Sequence, residues 1–166
     1  MKQLFITLCA AVLTGCVGPS RTPPLANTHP TAESLAGAVL DAVARRDAAT
    51  LRALALNEEE FRDHVWPELP AARPERNLPF SFVWGDLRQK SEAALNETLA
   101  REGGRQATLV AVRFDGEVTK YPSYTVRRET ALTVRDIGGA TRSVRLFGSS
   151  LEKDGEWKVF SYVVDD

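Results

Sequence analysis

Apolar residues recur every three or four positions through residues 31–102 and every two positions from residue 107 onward, so the chain divides into a helical half and a strand half. In the first half Leu35, Ala36, Val39, Leu40 and Val43 form one stripe. Thr31 stands as its N-cap, with Glu33 in the first turn and Arg45 and Arg46 in the last, the signs that suit the helix dipole. Asp47 restarts a short helix, DAATLRALAL, with Leu51 and Leu54 inward, and Asn57 with Glu60 fits a capping box opening a third helix that Pro67 stops. Pro67, Pro70, Pro74 and Pro79 then break the chain into an irregular stretch. A fourth helix is predicted from about Asp86 to Glu102, with Leu87, Ser91, Leu95 and Leu99 four apart and Gly103-Gly104 closing it.

In the second half ATLVAVRF, YTVRRETALTVRD, TRSVRLFGSSLE and EWKVFSYVVD read as four strands, with turns at Gly138-Gly139 and Asp154-Gly155. Val126, Thr130, Leu132 and Val134 share one face of the second strand, with Arg128 in phase among them. Thr125, Arg127, Glu129, Thr133 and Arg135 share the other. The last strand is apolar on both faces, Trp157, Val159 and Val163 against Phe160, Tyr162 and Val164, so it is covered twice or lies centrally. Trp157, fixed by the adjacent turn, is expected in the core, and Lys158, opposite it, near the surface. Helices followed by an antiparallel sheet predict an α+β fold, with the N-terminal helices packed on one face of a curved sheet of about four strands.

Ahead of this domain, Leu4 to Leu13 (LFITLCAAVL) is apolar but short of the ~20 residues that cross a bilayer, and it fits the apolar region of a cleaved export signal. Leu13-Thr14-Gly15-Cys16 resembles the bacterial lipobox. That resemblance implies a signal peptide over 1–15, a lipid on the Cys16 thiol and cleavage before it, so that membrane lipid is a partner through Cys16. Val17 stands where an inner-membrane retention signal would have Asp, so the resemblance points to the outer membrane, facing the periplasm. Residues 17–30 (VGPSRTPPLANTHP) hold four of the nine prolines and read as a tether of roughly 40 Å reach at ~3.1 Å per residue. Residues 31–166 then form a single domain.

Composition changes this picture in three ways. Cys9 and Cys16 are the only cysteines, so the domain has no thiol and must fold without a disulfide. Removing residues 1–16 leaves 20 basic and 22 acidic residues, which does not resemble the footprint of a nucleic-acid binder. Two histidines and no ligand-spaced carboxylate cluster predict no metal site, and no cofactor-binding motif occurs.

The segments AVLDAVARRDAATLRALAL and LEKDGEWKVFSYVVDD resemble the nuclear transport factor 2-like superfamily, which includes ketosteroid isomerases and SnoaL-type cyclases. The resemblance covers residues 31–166 and implies a cone-like sheet around a pocket, with the last strand's Trp157 face on the first helix; a cystatin-like helix-on-sheet domain is the competing arrangement. Family enzymes place an acid, a His or tyrosines in that cone. His64, beside Asp63, is the one acid/base candidate, but neighbours on a helix point about 100° apart, and a rim histidine is the plainer reading. Arg128 is a candidate for holding an anion or carboxylate, against an arginine that snorkels at a strand end. Trp66, Trp84 and Tyr124 are candidate cleft-lining residues, against ordinary packing. No catalytic set is assembled. The sequence therefore favours a non-catalytic envelope lipoprotein that binds a protein partner or a small ligand, with an isomerase- or dehydratase-type enzyme as the alternative.

Overall fold

The computed structural model describes residues 22–164 and shows an α+β fold. Helix α1 spans Ala32–Ala44, capped by Thr31, whose side chain accepts from Ser34 N. It ends one residue before Arg45, and Arg46 takes the left-handed turn (φ 54°), so neither arginine lies in the last turn. Helix α2 spans Ala48–Leu54 from an Asp47 cap, and α3, Glu58–Glu60, opens with the reciprocal Asn57–Glu60 capping box. A π-helical turn over Phe61–Val65 and short 3₁₀ turns carry the chain through the prolines. Helix α4, Phe80–Glu102, begins six residues earlier than expected, directly after Pro79, and its first turns pack Phe80, Val83, Trp84 and Leu87 against an apolar cluster.

Among the described residues the strands number seven rather than four and form two antiparallel sheets. They are β1 (Ala107–Phe114), β2 (Val118–Lys120), β3 (Thr125–Arg127), β4 (Thr130–Asp136), β5 (Thr141–Val144), β6 (Ser149–Lys153) and β7 (Glu156–Ser161). One sheet is ordered β1-β4-β5 and the other β2-β3-β6-β7. Both long strands read from the sequence break at one level, each donating its first piece to one sheet and its second to the other. Glu129 takes a left-handed backbone (φ 53°), and opposite it Thr130 N donates to Gly148 O at 3.0 Å. Gly148 is required there: a Cβ would stand 1.4 Å from the Val163 carbonyl oxygen.

Two apolar clusters flank the β7 strand. One packs α1, α2 and Leu95 of α4 against β4, Leu146, Phe147, Val159 and Tyr162. The other gathers Phe61, Val65, Tyr124, Val126 and Leu151 with Trp66, Phe80 and Trp84. The double coverage of the last strand is thus observed, although β7 is the outermost named strand of its sheet. A register shift opposite Ser149/Ser150 resets its alternation, so Tyr162 joins Val159 in the first cluster instead of facing away from it. Trp157 is only half-buried, stacked on Phe114 at 5.8 Å with the Arg127 guanidinium 4.8 Å from its ring. It borders the helix-packed cluster without being its centre. Lys158, expected near the surface, is 1 % exposed.

Candidate functional site

Residues 22–30 do not stand off the domain as a tether. His29 exchanges two backbone hydrogen bonds with Trp157, at 2.9 and 2.7 Å, and Leu56 N donates to Val159 O at 3.0 Å, so the outer edge of β7 is covered by backbone from two directions. Leu25 packs into the second apolar cluster. Ala26 N donates to Glu60 Oε1 at 2.8 Å, while Lys158 Nζ donates to the Ala26 carbonyl.

Glu60 and Lys158 hold that segment as a buried pair, 3.4 Å apart. Lys158 Nζ also donates to Ala53 O at 3.1 Å, and the second Glu60 oxygen accepts from Asn57 N at 3.0 Å. Burial lowers the Lys158 pKa, and the Glu60 carboxylate opposes that shift by attraction and hydrogen bonding. Neither residue stood out as a site in the sequence, yet a signal existed. Lys158 alternates with Phe160 on a strand whose two faces are otherwise apolar, and a cation in that phase requires a buried partner.

Two clefts border this region. The first, about 610 Å³, lies between residues 22–28, the Asp63–Glu68 turn and the β6–β7 turn. His64 lines it and its Nε2 lies 2.8 Å from Pro23 O, so the ring is engaged by backbone; Asp63 is exposed. The second, about 260 Å³, opens at the strand break. Its walls are Leu69, Leu87, Val126 and Phe160, and Arg128 and Glu129 line it as well. The left-handed Glu129 resets the alternation between Val126 and Thr130, so Arg128 is exposed and not part of the packed face. Among the described residues its guanidinium has no ion-pair partner.

The five lining candidates are therefore not brought together. His64 belongs to one cleft and Arg128 to the other. Between them, Trp66 and Trp84 are cluster residues, ringed by Phe80 at 5.6 Å and Phe61 at 5.3 Å respectively. Tyr124 is buried, stacks on Tyr121 at 4.5 Å and donates its hydroxyl to Val65 O at 3.1 Å; burial pushes its phenol pKa up. Cys16 lies outside the described residues. Among the described residues no group of three or more metal-ligating side chains is assembled, and no helix is long and apolar enough to cross a membrane. Comparison with known proteins finds no matching family model, no matching curated protein and no matching solved structure.

Proposed function

We propose that this chain is a lipid-anchored envelope protein whose domain is a non-catalytic binding module, with the cleft at the strand break as its small-ligand site. The observation that supports the binding half is the pairing of apolar walls with Arg128, which has no ion-pair partner among the described residues, in a concave site of about 260 Å³. That combination suits a compact ligand with an apolar body and a carboxylate. The body replaces water against Leu87, Val126 and Phe160, and the Arg128 guanidinium donates two parallel hydrogen bonds to the carboxylate. Glu129, beside it, selects against a second negative charge. No proton-transfer step suggests itself, because His64 is in the other cleft and bonded to a backbone carbonyl.

The anchor half is supported by Leu13-Thr14-Gly15-Cys16. Its test is metabolic labelling with a fatty acid in a bacterial host. The unmodified chain is expected to take the label and fractionate with outer membrane, and Cys16→Ala to lose both. Binding is tested by thermal shift against medium-chain carboxylates and their amides. Stabilisation by the acids alone, lost in Arg128→Ala, is expected; equal response to acid and amide would remove Arg128 from the site.

A further inference from the structure

The contacts that hold residues 22–29 fall mainly on backbone, with the Leu25 side chain seated and the His29 Nδ1 2.9 Å from Ser34 Oγ. Glu60 takes the Ala26 amide, Lys158 its carbonyl, His64 engages the Pro23 carbonyl, and Trp157 makes both bonds to His29. Leu25 is the one side chain packed into an apolar cluster, whereas Pro23, Pro24, Ala26 and Asn27 face solvent. These are the contacts by which a sheet edge binds an extended peptide: main-chain bonds for affinity, one pocket for selection.

The receptor is also complete without its occupant. Lys158 has three donors, and Glu60 and Ala53 O engage two of them. Glu60 keeps Asn57 N through its second oxygen. The pair stays mutually satisfied when residues 22–29 leave, with one proton and one lone pair aimed at the vacated backbone position. The cleft of about 610 Å³ beneath the segment gives an incoming chain room to enter.

We propose that the edge of β7, together with Glu60, Lys158 and the Leu25 pocket, is a receptor for an extended peptide segment. The chain's own residues 22–29 fill it in cis, and an extended segment of another protein takes their place. The partner segment has an apolar side chain followed by a residue with a free amide and carbonyl, then a short β-paired stretch. Proline before the apolar position is tolerated, as Pro23 and Pro24 show. The groove residues are the same whether or not Cys16 is lipidated. Where Cys16 is lipidated, exchange also lengthens the reach, since docking leaves only residues 17–21 between the anchor and Thr22.

The test uses the full chain and a fluorescent peptide, TPPLANTHP, copying residues 22–30. Leu25→Asp in the chain weakens the resident segment and leaves the groove intact. The peptide is expected to bind this variant roughly tenfold more tightly than the unmodified chain, whose groove is filled most of the time. The same peptide with aspartate at the leucine position is expected not to bind. A folded Leu25→Asp chain that fails to bind TPPLANTHP overturns the proposal. Hydrogen exchange on the unmodified protein decides independently, including if that variant does not fold. The Ala26 and His29 amides are expected to exchange faster than those of Leu132 and Val134 by a factor on the order of 100, as local opening requires. Equal protection makes residues 22–29 a fixed part of the core and ends the proposal.

Discussion

Lys158 is the residue whose surroundings depart furthest from its type. It is buried with Glu60 as its counter-ion, so the two are worth little as a pair and much as a unit that must not be broken. Lys158→Met is expected to destabilise the domain by about 3 kcal/mol in urea denaturation, because Glu60 is left buried and uncompensated. Adding Glu60→Gln is expected to recover part of that loss rather than double it. His29 gives a pH dependence of defined sign. Burial lowers its pKa from 6.5, Glu156 opposing and Lys158 adding to the effect. The unfolded chain therefore takes up a proton below pH 6.5 that the folded chain resists, and stability falls as pH drops from 6.5 toward 5. Denaturation midpoints at pH 7.5 and 5.5 are expected to differ in the unmodified protein and to converge in His29→Asn.

At the scale of elements, the strand break decides where the sheets part and where Arg128 faces. Gly148→Ala is expected to cost about 3 kcal/mol or to block folding, because the new Cβ collides with the Val163 carbonyl and backbone, unlike a side-chain tip, cannot swing aside. Gly37 is the contrast. It lies within α1 with nothing within 4 Å of an added Cβ, so Gly37→Ala is expected to stabilise by about 1 kcal/mol through helix propensity. A pair of thermal melts checks both. Helix α4 is fixed by polar ties as well as by its apolar contacts. Arg52 of α2 grips Glu92 with its Nε 2.9 and 3.1 Å from the two carboxylate oxygens. Arg142 ties the far end to the β4–β5 hairpin through Glu102 at 3.0 Å and Asp136 at 3.1 Å. Ser91 accepts from Tyr162 N at 3.0 Å in between.

For the whole molecule, docking of residues 22–29 changes the geometry an anchor would impose. Six peptide units separate Cys16 from Thr22, a span of about 20 Å at most at ~3.5 Å per residue, half the reach of a free tether. A distance measurement from the bilayer surface to a label at residue 137, on lipidated protein, is expected to shorten when the segment is docked and to lengthen in Leu25→Asp. The described residues contain no cysteine, so no disulfide among them contributes to stability. The melting midpoint is expected to be identical with and without reductant; a shift would require a bridge through Cys9 or Cys16.

Local signals were legible wherever they were satisfied locally. Thr31, Asp47 and the Asn57–Glu60 box cap helices because each cap needs only a side chain and an amide a few residues away. The α+β class followed from the change of apolar period near residue 107. The tertiary structure alone decided the rest. A two-residue period cannot report that Glu129 turns left-handed, so the phase that set Arg128 with Val126 and Thr130 is broken and Arg128 is exposed at a cleft. Proline content cannot report that Pro23 and Ala26 find partners in His64, Glu60 and Lys158, so residues 22–30 read as free chain. Glu60 appeared in the sequence only as a helix cap. Its second role, as counter-ion to a lysine 98 positions away in the chain, exists because folding places both in one water-excluded site, where neither charge is stable alone.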